Sequence, residues 1–296
     1  MEPNRVEVIA ADGIALAAHW WQAARTQPSA TVIINAATGV RARYYHRYAA
    51  FLAANGFRVI TYDYRGIGLS RPSSLKGSTF TWRDWGFLDF DAVLKRALQE
   101  DETGRLLVVG HSIGGFLAGY SAAAGRISAM LSVGGQYGYW GDYRPTRRLP
   151  LFLKWHVAMP AIAMMLGHFP GKRLGWLEDL PKGVAYGWGL QQGRAEQGLS
   201  RAGAEAMQDR FAAAACPILS VTMSDDEIAT PKAVSRAMRY YRRAPVTKVL
   251  LRPDDLGFDR VGHFDLFHAR HESVFWRESL DFLHSGHNPW GDRVYL

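Results

Sequence analysis

The hydrophobic positions along the chain follow two periods. Residues 6–9 and 16–21 are two short runs, read as alternating, on either side of Ala11-Asp12-Gly13. An Asp-Gly step between alternating runs marks a hairpin of half-buried strands. Residues 30–36 form a continuous apolar run, the pattern of a strand covered on both faces. From there strand-like and helix-like stretches take turns. The spacing predicts a helix over 44–55 stopped by Gly56, a strand over 57–64, a helix over 80–100, a strand over 105–109, a small-residue helix over 114–124 and a strand over 127–133. The rhythm resumes with a strand over 217–223 and a helix over 231–243, with proline in its first turn. A strand over 247–251 and an amphipathic helix over 272–284 follow.

A hairpin followed by strand–helix alternation predicts an α/β chain: a mostly parallel central sheet with helices on both faces. The interval 137–210 breaks that alternation. It carries Trp140, Trp155, Trp176 and Trp188 together with Met159, Met164 and Met165. A structureless loop of that length is uncommon in a compact domain. A helical lid inserted after the sixth strand is therefore expected, with residues 1–136 and 211–296 forming the core. A length of 296 residues, 48% hydrophobic and 21% charged, suits one globular domain with such an insertion.

Charge and cysteine content narrow the classes. Lys and Arg number 35 against 27 Asp and Glu, a formal net charge of +8. The basic residues are scattered, with Arg147-Arg148 and Arg242-Arg243 the longest clusters, so a solvated surface is expected and no nucleic-acid partner. The single cysteine, Cys216, excludes an internal disulfide and a cysteine metal cluster, and its place before an apolar run predicts a buried thiol. The most apolar stretch, 149–169, contains Lys154, His156, Pro160 and His168, so no membrane span is expected. Met1-Glu2-Pro3-Asn4-Arg5 lacks the layout of a signal peptide, and a cytoplasmic location follows as an expectation.

Gly110-His111-Ser112-Ile113-Gly114 lies between a predicted strand and a predicted helix. That is the setting a Gly-x-Ser-x-Gly elbow requires: the glycines permit a sharp turn that lifts the Ser112 hydroxyl clear of the sheet. A serine hydroxyl needs a base, and the base needs an orienting carboxylate. Elbow sequences place them in the order Ser, acid, His. Ser224-Asp225-Asp226-Glu227 follows the strand over 217–223 and supplies the acid, Asp226 by preference, with Asp225 and Glu227 left open. His263, in Val261-Gly262-His263-Phe264, precedes the last helix and is the candidate base. His268 and His271 are read as surface residues or residues opening that helix. An oxyanion needs two backbone N–H donors. Ile113, after the nucleophile, supplies one, and the small residues of Asn35-Ala36-Ala37-Thr38-Gly39 supply the other, Ala37 by preference over Ala36. Asp63 and Arg65 are read as loop organisers. No metal-ligand spacing or phosphate loop is present, and Gly66-Ile67-Gly68 lacks the third glycine of a dinucleotide site, so no cofactor is expected.

With these motifs the chain resembles the α/β-hydrolase superfamily, near the serine-aminopeptidase-like and monoglyceride-lipase-like group and bacterial predicted hydrolases of unassigned substrate. Tyr62-Asp63-Tyr64-Arg65-Gly66-Ile67-Gly68-Leu69-Ser70, the Gly-His-Ser-Ile-Gly elbow, the acidic loop ending in Thr230-Pro231, and Gly262-His263-Phe264 carry the likeness. Many members have His-Gly where this chain has Asn35-Ala36, and a glycine where Met223 stands. The resemblance implies a serine hydrolase acting on a small acyl substrate, a carboxylic ester, through an acyl-enzyme. The aromatic and Met-rich lid suggests an apolar pocket. The same triad would also serve an acyltransferase, a thioesterase, a perhydrolase or a lyase, and the fold can house a non-catalytic binding module.

Overall fold

The computed structural model describes residues 2–101 and 103–296. The two N-terminal runs form the expected hairpin: β1 (Asn4–Ile9) pairs antiparallel with β2 (Ala15–Trp21), Val8 opposite Leu16. The apolar runs become β3 (Thr31–Asn35), β4 (Arg58–Tyr62), β5 (Leu106–His111) and β6 (Ala129–Val133). Inside the insertion, β7 (His168–Phe169) and β8 (Leu180–Pro181) make a separate small ribbon. β9 (Ile218–Met223) and β10 (Val246–Leu251) complete the main sheet.

The eight strands run in the order β1-β2-β4-β3-β5-β6-β9-β10, parallel from β4 onward. Every residue of β3, β5, β6 and β9 is buried, as strands covered on both faces must be. The chain leaves β3 toward one side of the sheet and returns on its other side as β5. The loops after these two strands thus diverge at a topological switch point, where open α/β sheets form a crevice.

Two helices are shorter than their sequence pattern predicts. The helix from Gly114 gives way to a tight turn at Tyr120, and Ser121 is extended with its hydroxyl donating to Asp91 Oδ1 at 2.6 Å. Gly119 lies so close to Phe211 that a Cβ would stand 2.3 Å from the ring. That contact fixes helix Arg201–Ala213 on the core side of the insertion. The helix from Pro231 ends at Met238, where i to i−3 bonds tighten the last turn. Tyr241 then reaches back, accepting from Gly119 N–H and donating to Phe116 C=O.

Within the insertion, the helical stretch Pro145–Leu166 is long and apolar enough, by length and composition alone, to cross a membrane. Here Trp155, Met159 and Ala163 are buried against the protein, while Leu149, Leu153, Met164 and Met165 face outward. Cys216 is a buried free thiol, and burial pushes its pKa up to about 11.

Candidate active site

Ser112 follows β5 at φ 55°, the only non-glycine residue with positive φ among the described residues. A left-handed non-glycine residue is strained by about 1 kcal/mol or more and persists only where its surroundings enforce it. They do so here through glycine. A Cβ on Gly110 would stand 2.3 Å from Gly114 O, and one on Gly114 would stand 2.3 Å from Asn35 O. Ser112 N–H is held by Val133 C=O of the neighbouring strand at 2.9 Å. The turn leaves the hydroxyl at the floor of a pocket.

His263 arrives from the loop after β10, with Nε2 at 2.9 Å from Ser112 Oγ and Nδ1 at 2.6 Å from Asp226 Oδ2. Asp226 is 3% exposed and also accepts the N–H groups of Ile228 and Ala229, each at 2.8 Å. Burial by itself would raise its pKa; the His263 ring and these donors outweigh burial and hold the carboxyl below its ordinary range. An ionised Asp226 accepting from Nδ1–H leaves Nε2 free to accept the serine proton.

Of the neighbouring carboxylates, Asp226 is the one whose side chain meets the His263 ring. Asp225 turns the other way, its Oδ2 accepting Val261 N–H and Gly262 N–H at 2.9 Å each. It ties down the loop that carries His263 and does not touch the imidazole. Glu227 sits at the pocket mouth, paired with Arg147 at 3.2 Å.

The two expected oxyanion donors are placed differently. Ile113 opens the helix beside Ser112 and lines the pocket. Ala37 also lines it, but its N–H is donated to the Tyr45 hydroxyl at 2.9 Å. That hydroxyl bonds His111 Nδ1 at 2.8 Å, and His111 Nε2 meets the His263 carbonyl at 2.8 Å. A buried chain thus runs from the 37–38 turn to the backbone of His263. His111 is fully buried, and burial, followed by the nearby His263 ring, pushes its pKa down to about 3. It is a neutral ring donating from Nε2 and accepting at Nδ1. Asn35, in the position where many relatives have histidine, bonds Tyr62 OH at 2.8 Å and reaches Gly114 O at 3.4 Å, bracing the elbow.

Gln136 was not singled out by sequence reasoning. Its Nε2 lies 3.2 Å from Ser112 Oγ, and its Oε1 accepts Gly138 N–H, which fixes the amide with its NH2 toward the serine. The signal was its position, just past Gly134-Gly135 at the C-terminal end of β6, where such sheets bind ligands. Other candidates lie elsewhere. Asp63 accepts Ala42 N–H and Leu69 N–H, and Arg65 bridges Asp89 and Asp12. His268 and His271 both bond Asp265; His268 is exposed, and His271 is buried at the entry to the last helix.

Above the serine the pocket encloses about 320 Å³. Trp82, Trp155, Trp176 and Trp188 line it, and Trp155 stacks on Trp188 with centroids 4.7 Å apart.

A family model described as the alpha/beta hydrolase family matches residues 32–275. Among solved structures, the chain is similar to a soluble variant of monoglyceride lipase from Saccharomyces cerevisiae in complex with a substrate analogue. The two are 17% identical over 96% of this chain and 95% of that one, with a TM-score of 0.69. An esterase of Pyrococcus furiosus is 16% identical over 95% and 92% of the two chains (TM-score 0.58). A thermophilic esterase of Thermogutta terrifontis is 18% identical over 95% and 100% (TM-score 0.57). No curated protein matches the sequence.

Proposed function

For a chain that belongs to the alpha/beta hydrolase family, we propose the function of a serine-dependent carboxylic-ester hydrolase working through an acyl-enzyme. The observation that carries this reading is the unbroken contact line from Ser112 Oγ through His263 to the buried Asp226. Esterases and a lipase of the same fold support it.

In the proposed reaction, His263 Nε2 takes the hydroxyl proton as Ser112 Oγ bonds to the substrate carbonyl carbon. Asp226 keeps Nδ1 protonated and balances the imidazolium. The oxyanion is received by Ile113 N–H and by the 37–38 turn. Since Ala37 N–H is held by Tyr45, Thr38 N–H, on the same pocket wall, is the second donor. The ester C–O bond then breaks, and the alcohol leaves with the proton from His263. Water attacks the acyl-enzyme with His263 again as base, freeing the acid and restoring Ser112. Segment 137–210 acts as a lid, and its Trp155, Trp176 and Trp188, which line the pocket, receive the apolar acyl or alcohol part.

Rapid-quench mass spectrometry with a chromogenic ester tests this. One acyl group on the Ser112 peptide, absent from Ser112→Ala, is expected. Steady hydrolysis retained in Ser112→Ala would reject it.

A further inference from the structure

The pocket is aromatic but not uncharged. Lys154, on the stretch Pro145–Leu166, lines it together with Ser112 and His263. Its ammonium lies 4.4 Å from the centre of the Trp155 ring and 4.6 Å from that of Trp176. Two indole faces hold a cation in place without cancelling its net charge. Among the described residues no carboxylate does so either, because the acids nearby are committed elsewhere. Glu227 pairs with Arg147, and Glu178 pairs with both Arg41 and Lys172. Burial alone lowers the Lys154 pKa, and no acid acts against it. An ammonium placed in a catalytic pocket, fixed by two rings and lacking an anion, is a docking point for an anion brought by the ligand.

We propose that Lys154 recognises a carboxylate on the substrate, so that the ester cleaved at this site is anionic, with an apolar body against the tryptophans and its charge at the ammonium. This rests on the esterase reading above. The surroundings agree with it. On the outer side of Trp176 and Phe264, a groove carries Arg43 beside the Arg41–Glu178 ion pair, and the chain's net charge is +8. Such a field draws an anionic substrate toward the mouth. Lys154 is a binding residue and takes no part in the proton transfers.

Nitrophenyl half-esters of dicarboxylic acids from adipic to sebacic, each paired with its terminal-carboxamide isostere, read this directly. Wild-type enzyme is expected to favour the acid over the amide in kcat/KM at the chain length that spans the pocket. In Lys154→Met that preference falls about tenfold, equivalent to about 1.4 kcal/mol, and Lys154→Arg restores part of it. The ratio within each variant cancels any general loss of folded enzyme. A preference absent from wild type at every length, or unchanged in Lys154→Met, overturns the proposal. Quenching of pocket tryptophan fluorescence by phenylbutyrate and by phenylbutyramide separates this from the parent reading. Lysine-dependent binding of the acid with no ester turned over would leave Lys154 as an anion site and remove the esterase. Turnover of neutral esters with phenylbutyrate binding indifferent to Lys154 would remove the anion site alone.

Discussion

Replacing Asp226 by asparagine isolates the electrostatic core of the proposed mechanism. The carboxylate accepts three hydrogen bonds, from His263 Nδ1 at 2.6 Å and from Ile228 N–H and Ala229 N–H at 2.8 Å. An asparagine oxygen can keep the two backbone donors, which presents its NH2 to Nδ1. Two donors cannot face each other, so the imidazole moves its proton to Nε2, where it points at Ser112 and can no longer accept. Loss of the correct tautomer costs on the order of 10⁴ in kcat, or about 5.4 kcal/mol of barrier. Folding should suffer little, because the buried N–H groups keep their acceptor. Asp226→Ala strands both donors and should add about 2–6 kcal/mol of destabilisation. Asp225→Asn is the matched control. Only Asp225 Oδ2 is engaged while Oδ1 is buried without a partner, so asparagine keeps an oxygen for both N–H groups, and its unpartnered NH2 costs about 1–3 kcal/mol of stability. Turnover should fall less than about tenfold there, since the loop N–H groups keep a neutral hydrogen bond. The assay is ester turnover beside urea unfolding for each variant. Asp226→Asn within tenfold of wild type, or Asp225→Asn as damaged as Asp226→Asn, would refute the assignment.

Three other outcomes follow from the same contacts. His111 carries a folded pKa of about 3, below the 6.5 of a free imidazole. Between those values the unfolded chain binds the extra proton, so stability falls as pH drops, by at most about 1.4 kcal/mol per unit from this group. Urea midpoints across that range should fall less steeply in His111→Asn, and parallel slopes would count against it. Gln136→Leu removes a donor to Ser112 Oγ, and kcat should drop about tenfold, the scale of one neutral hydrogen bond, while Ser112 still reacts with acylating probes. Gly119→Ala drives a methyl into Phe211 and should cost about 1–3 kcal/mol by overpacking, visible in the urea midpoint with kcat per folded molecule preserved.

The sheet was legible because strands covered on both faces write mainly apolar runs, and β3, β5, β6 and β9 overlap such runs, β5 continuing into Gly110-His111. Ser112 was legible because its left-handed turn requires Gly110 and Gly114 beside it, a purely local demand. The neighbouring carboxylates could not be told apart. Which one meets His263 depends on a turn whose partners, Val261 to His263, lie 36 or 37 residues away. The small residues at 36 and 37 mark a close backbone approach, but no local pattern reports that Tyr45 holds the Ala37 N–H. Lys154 read as a reason against a membrane span. Its place between Trp155 and Trp176 depends on how distant parts of the insertion pack.

Intact mass after exposure to a fluorophosphonate probe tests the activated serine most directly, with Ser112→Ala and His263→Ala run alongside. One adduct on the wild type, absent from Ser112→Ala and strongly slowed in His263→Ala, is the expected result. No adduct on folded wild-type protein, or an adduct that persists in Ser112→Ala, would contradict it.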